Sequence, residues 1–196
     1  MADIISDDRP ASTRRRRQSG QSRLSQHPGT ADDNGESGAL LPLVEMLFFA
    51  YRDFTGEADV VLAAYGLGRA HHRVLHFVNR SPGIRVADLL QVLKITKQSL
   101  GRVLRKLVDD GWIEQAPGPD DRRERRLTLT AAGHGLAAEL IVLQTRRIAH
   151  ALSEIEASAG ANVRDNVRGF LFAMIAPDER ASVTAIVEGS GSAGDL

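Results

Sequence analysis

Hydrophobic and polar positions repeat most regularly around residues 95–111. Leu100, Val103, Leu104 and Leu107 follow the i, i+3, i+4, i+7 spacing, which predicts a helix with one buried face. The opposite face carries Lys97, Gln98, Arg102, Arg105 and Lys106. Thr96 suits the N-cap, because its hydroxyl can accept from the free N–H groups of the first turn. Ile95 and Leu100 have the spacing of a hydrophobic staple, and Gly111 stands where a helix C′ residue is expected. Upstream, Val86, Leu89, Leu90 and Leu93 form a shorter apolar face, and a turn at Lys94 and Ile95 joins the two helices. This pair reads as a helix-turn-helix. Downstream, 112–115 and 126–129 read as strands around a Pro-, Gly- and Asp-rich loop over 117–125. Arg122, Arg123, Arg125 and Arg126 stand in or beside its tip. A helix for the major groove and a basic loop that reaches a minor groove make a winged helix-turn-helix.

The rest of the chain divides around this unit. Residues 1–38 are polar and rich in Arg, Ser, Asp and Gly, and are expected to be disordered. Residues 39–65 read as a helical region for dimerisation, with Pro42 in its first turn and a break near Gly56. Five of the nine aromatics lie there: Phe48, Phe49, Tyr51, Phe54 and Tyr65. One helix cannot bury so wide an apolar surface alone, so it must pack on another helix or subunit. Residues 66–135 are expected to form the winged DNA-binding domain, opening with a helix over 68–79 whose Val74, Leu75 and Val78 face the core. Thr130 caps a long helix that carries Leu136, Leu140, Leu143, Ile148, Leu152 and Ile155. Further helices are expected over 162–175 and 179–187. Residues 136–188 thus make a C-terminal helical dimerisation region, and 189–196 a flexible Gly/Ser tail. The fold class is mainly α with a small β-wing, dimeric through its N- and C-terminal helices.

Charge refines this picture only locally. The 196 residues carry 25 basic and 25 acidic side chains, so whole-chain electrostatics say nothing for nucleic acid and disfavour a nonspecific architectural DNA binder. Between 84 and 130, ten basic and seven acidic residues leave +3. Arg14, Arg15, Arg16 and Arg17 can touch phosphates, although such runs are more often solvated tails. There is no cysteine, which excludes disulfides and thiol-based sensing and fits a cytoplasmic location. No apolar run approaches the roughly 20 residues of a membrane span, and no signal peptide is seen.

From Asp121 the chain reads Asp-Arg-Arg-Glu-Arg-Arg-Leu-Thr-Leu-Thr-Ala-Ala-Gly to Gly133. This resembles the wing signature of the MarR family of bacterial transcription regulators. The runs Leu93 to Leu100 and Gly68 to Leu75 resemble its PetP-like branch. The resemblance spans about residues 40–176. It implies a helical dimer with two winged domains, a palindromic operator and often a small-molecule inducer. It departs at Arg105, where many members carry an acid that braces the wing arginine; bracing of Arg123 then falls to Asp121 alone.

In that frame the DNA-contacting set is Thr96, Lys97, Gln98, Ser99, Arg102, Arg105, Lys106, Arg122, Arg123 and Arg125. Gln98 suits adenine and Arg102 guanine, each in bidentate fashion. Gly101 lets the helix lie close to the DNA. Arg105 and Lys106 suit phosphates, Arg123 the minor groove, and Arg122 and Arg125 the flanking phosphates. A small-molecule effector, an aromatic one among the candidates, is expected between the winged domain and the dimer body, against Tyr51, Phe54, Thr55, His72 and His76. His72 and His76 also have the i, i+4 spacing of metal ligands, with Asp53 and Glu57 as acids to complete a site. Metal sensing is therefore an alternative. Purely structural histidines, or a pH effect involving His71, His72 and His76, are others. A protein-interaction module on the same fold is a further alternative. No catalytic set, phosphate loop or cofactor motif is seen, so an enzyme is not expected.

Overall fold

The computed structural model describes residues 32–119, 121–159 and 162–189. Seven helices and three strands follow in the order α1 (Asp32–Ala64), α2 (Arg69–Arg80), β1 (Ile84–Arg85), α3 (Val86–Leu93), α4 (Lys97–Asp109), β2 (Ile113–Pro117), β3 (Arg125–Leu129), α5 (Ala131–Ala159), α6 (Val163–Ala173) and α7 (Arg180–Glu188). The strands form one antiparallel sheet in the order β1-β3-β2. Ile84 pairs with Leu127 and Arg85 with Arg126, while Ile113 pairs with Leu129 at the base of the β2–β3 hairpin.

The core is built from the periodic residues. Leu89 and Leu93 of α3, Leu100, Leu104 and Leu107 of α4, and Val74, Leu75 and Val78 of α2 are all buried. Each such side chain contributes about 2 kcal/mol on burial. The hairpin adds Ile113, Leu127 and Leu129. α2 packs against α3, α4, α5 and β3, which makes it the helix on which the reading head is mounted. Polar ties fix the mounting: Arg73 Nη2 donates to the Leu93 carbonyl at 2.9 Å, and His134 Nδ1 lies 3.0 Å from Asn79 Oδ1. The same core takes in Ala58 and Leu62 of α1 and Leu136, Ala137 and Leu140 of α5. Tyr65, just past α1, sets its ring edge-on to Trp112 at 5.0 Å.

The ends of α4 match expectation. Thr96 Oγ1 accepts from the Ser99 N–H at 3.2 Å. At the other end Gly111, with φ +76, donates to the Val108 carbonyl, and the Trp112 N–H donates to the Leu107 carbonyl. These two bonds satisfy carbonyls that the helix leaves free, and the positive φ explains the glycine. Thr130 caps α5 as expected: its hydroxyl accepts from the Gly133 N–H at 3.0 Å and donates to the Gly111 carbonyl at 2.7 Å. One side chain thus ties the end of the wing to the end of α4.

Three expectations need correction. α1 begins at Asp32, so residues 32–38 are helical, not part of a disordered tail. Pro42 then lies inside the helix and not in its first turn. Gly56 makes no break, because the helix runs on to bring Ala58 and Leu62 into the core, and that packing outweighs the roughly 1 kcal/mol cost of a helical glycine. Phe48, Phe49, Tyr51 and Tyr65 are exposed in the single chain. β1 was not expected at all. The tail before residue 32, the Arg14 to Arg17 run, Gly160 and the tail after 189 lie outside the described residues.

Candidate nucleic-acid interface

The first two turns of α4 and the hairpin tip face solvent from one side of the unit. Lys97, Gln98, Gly101, Arg102 and Arg105 are exposed on α4, and Arg122, Arg123 and Arg125 on the hairpin. Among the described residues, none of Lys97, Arg102, Arg105, Arg122 and Arg123 is engaged in an ion pair. Their guanidinium and ammonium groups are free to meet an anion. Gly101 has open space beside it, so the helix surface is flat there. The free N–H groups at the start of α4 add a partial positive charge to the same surface.

Four expected residues have other partners. Thr96 and Ser99 bond to each other, since the Thr96 hydroxyl also donates to Ser99 Oγ at 2.9 Å. Lys106 Nζ pairs with Asp110 Oδ2 at 2.8 Å, one turn from the helix end. Arg125 Nη1 donates to the Arg122 carbonyl at 3.0 Å. Asp121 shapes the tip through the main chain. Its Oδ1 accepts from the Arg123 N–H at 2.8 Å, and its carbonyl accepts from the Glu124 N–H at 3.0 Å. It holds the backbone on which Arg123 sits.

Sequence reasoning missed an ionic cluster where β3 begins, at the tip end of the hairpin. Arg85, the N-cap of α3, donates from Nε and Nη2 to both oxygens of Asp88, each at 2.7 Å. Its Nη1 reaches Glu124 Oε1 at 3.3 Å, and Glu124 Oε2 lies 3.5 Å from Arg126 Nη2. Asp88 and Glu124 raise the Arg85 guanidinium above its usual range, and Arg85 in turn holds the Asp88 carboxyl below its own. The Arg85 to Asp88 spacing was visible in the sequence, but the Glu124 contact spans 39 residues and left no local signal.

The expected effector walls are spread over α1 and α2. Thr55 is buried, with its hydroxyl donated to the Tyr51 and Arg52 carbonyls of its own helix. The Arg69 guanidinium lies over the Tyr51 ring at 5.5 Å. Phe54 is half-buried and His72 buried. Desolvation, followed by the neighbouring His76, holds His72 below the usual histidine range, and desolvation does the same for His76. His71 is likewise lowered by desolvation; its Nδ1 accepts from the Gly68 N–H at 3.0 Å and so caps α2. His76 lines a cleft of about 770 Å³ between α2, α3 and α7. Among the described residues no group of three His, Cys, Asp or Glu side chains is placed to hold a metal ion, so the metal-sensing alternative gains no support.

The model for the MarR family matches residues 65–124, the span from the start of α2 to the wing. The transcriptional regulator PetP of Rhodobacter capsulatus is 46% identical over 137 residues, which cover 70% of this chain and 80% of the relative. This chain belongs to the MarR family. Its relatives are transcription regulators and not enzymes. A transcriptional repressor of Mycobacterium tuberculosis is 32% identical over 116 residues, covering 58% of this chain and 78% of that protein. Among solved MarR structures, a mutant MarR from Escherichia coli complexed with operator DNA gives a TM-score of 0.54 at 21% identity, over 70% of this chain and 96% of that one. A SlyA-like regulator from Listeria monocytogenes gives 0.56 at 16%, over 74% and 93%. These likenesses show the winged-helix fold. Among the described residues no helix is long and apolar enough to cross a membrane.

Proposed function

We propose that this MarR-family chain is a sequence-specific DNA-binding transcription regulator that acts as a homodimer on a palindromic operator and responds to a small molecule. The observation that carries the reading is the set of exposed cations, unpaired among the described residues, on the first turns of α4 and at the wing tip. α4 enters the major groove. Gln98 and Arg102 read base edges, each good bidentate contact being worth about 1–3 kcal/mol of discrimination. Lys97 and Arg105 meet phosphates, and Lys106 does so once it leaves Asp110. Thr96 and Ser99 set the helix start. Arg123 enters the minor groove, with Arg122 and Arg125 on flanking phosphates and Asp121 fixing the tip. A structure of the same fold complexed with operator DNA supports duplex DNA as the partner.

Dimerisation is supported by apolar surface that one chain leaves in water. Phe48 is 71% and Phe49 58% exposed on α1, and Phe170 and Leu171 on α6 and Met174 just past it are exposed. Surface of this extent supports an interaction face. A dimer holds two recognition helices about 34–36 Å apart or a multiple of that, so a small rotation of either winged domain abolishes binding. An effector seated against Tyr51, Phe54, Thr55, His72 and His76 lies at the join of α1 and α2, where it can drive that rotation.

The test is fluorescence anisotropy on a labelled fragment from upstream of the protein's own gene, beside a scrambled duplex and Arg123→Ala. The reading requires preference for the fragment by roughly a thousandfold or more, and a loss of at least tenfold with Arg123→Ala. Equal, salt-steep binding to both duplexes contradicts it and favours a protein-interaction role for the fold.

A further inference from the structure

We propose that Glu124 and Arg85 form the brace that aims this wing, a task which the acid missing from α4 cannot perform here. The proposal rests on the DNA-binding reading above. Where the family resemblance leads one to expect a bracing acid on α4, this chain has Arg105. A cleft of about 810 Å³ lies between α4 and the wing, where Arg105, Arg123 and Arg125 stand with the acids Asp109, Asp121 and Glu124. Among the described residues no ion pair crosses that cleft from α4 to the wing. The wing is instead tied to β1 by Arg85 and Glu124, which line the same cleft. Glu124 leaves the hairpin where β3 begins and meets Arg85 of β1 at 3.3 Å and Arg126 at 3.5 Å.

The pairing of β1 with β3 shows why an acid belongs there. Arg85 stands directly opposite Arg126 in the ladder. Two like charges at that spacing repel. Glu124 lies against both guanidinium groups, and Asp88 holds Arg85 from the side of α3. The Arg126 Nε is buried without a hydrogen-bond partner, which makes neutralisation of that guanidinium more necessary. Arg85 is also the N-cap of α3, the first helix of the helix-turn-helix. A wing held by Arg85 therefore moves with the helix-turn-helix, and Arg123, one residue before Glu124, is carried at a fixed angle to α4. Glu124 and Arg85 are positioning residues that touch no base.

The sign of one substitution separates this from plain surface electrostatics. Removing an acid near DNA relieves repulsion with phosphates and strengthens binding. Removing a brace weakens it. The experiment selects a duplex from a random-sequence pool with the full chain. It then measures the affinity of Arg85→Gln, Glu124→Gln and their double variant, each also in an Arg123→Ala background, with thermal melts to confirm folding. The brace predicts that both single variants lose roughly three- to fivefold. It predicts that the double variant is no weaker than the worse single, and that Glu124→Gln changes nothing once Arg123 is gone. Tighter binding by Glu124→Gln, or losses that add in the double variant, overturn the brace while the DNA-binding reading stands. An Arg123→Ala variant with unchanged affinity overturns both.

Discussion

Gly133 is where the winged domain tolerates least change. A Cβ built there lies 2.1 Å from the Trp112 carbonyl oxygen, 3.2 Å from its carbon and 3.3 Å from Leu129 Cβ. Even C–H···O contacts settle at about 3.3–3.6 Å, so α5 must retreat by about 1 Å to admit a methyl group. That carbonyl accepts the Thr130 N–H at 3.1 Å, and Thr130 caps α5. The retreat therefore loosens the cap as well. Overpacking costs about 1–3 kcal/mol and a weakened N-cap about 1 kcal/mol, against about 1 kcal/mol gained by alanine over glycine in a helix. The net loss is about 1–3 kcal/mol, or roughly 3–10 °C in melting temperature for a chain of this size. Gly135, two residues on, has no atom within 4 Å of an added Cβ. Gly135→Ala should therefore keep or slightly raise the melting temperature. Thermal melts by circular dichroism on both variants decide the matter. If Gly133→Ala melts with or above the wild-type chain, the close approach at Trp112 is wrong and the wing's seat on α5 must be rebuilt.

Three further outcomes follow from the same geometry. Gln98→Ala should relax preference at one or two base positions, whereas Arg105→Ala should weaken all duplexes alike and flatten the salt slope by about one; a uniform shift for both, measured by competition anisotropy, refutes that division. Folding lowers the proton affinity of His71, His72 and His76, so the unfolded chain binds more protons on the acid side of the ordinary histidine pKa, about 6.5; stability should be intact above that pH and fall as pH drops through it. A melting temperature that declines from pH 7.5 to 5.5 more steeply in the wild type than in His72→Gln is the expected result, and parallel slopes contradict it. Phe48→Asp should leave the winged core intact, because Phe48 lies outside it, yet raise the concentration needed for dimerisation at least tenfold by analytical ultracentrifugation. An unchanged dimer moves the interface off α1.

The recognition helix was legible because everything that makes it is local. Its stripe, its Thr96 cap and its Gly111 stop lie within 16 residues, and each has one physical meaning. The capping role of Thr130 was legible for the same reason. β1 was not, since two residues cannot show a period; Ile84 and Arg85 are strand only because Leu127 and Arg126 lie beside them. The Arg85 and Glu124 contact was hidden likewise, and Glu124 looked like one acid inside an arginine run. Gly133 belonged to a recognised signature, but its reason, the Trp112 carbonyl against the helix, appears only in three dimensions. The aromatics of α1 were rightly read as too many for one helix to bury. The single chain leaves Phe48, Phe49 and Tyr51 exposed, and the second subunit proposed above would cover them. His72 and His76 showed their spacing but not their surroundings: the structure buries His72, half-buries His76, and places no third ligand beside them among the described residues.

The most direct test of the central claim is a selection of bound duplexes from a random-sequence pool by the full chain, followed by affinity measurement on the winning sequence and its scramble. The account predicts a palindrome whose half-sites are centred about one helical turn, or a multiple, apart. It predicts A and G at positions that lose their preference in Gln98→Ala and Arg102→Ala respectively. Enrichment of no sequence, or of one whose preference survives both substitutions, contradicts the claim that α4 reads the DNA.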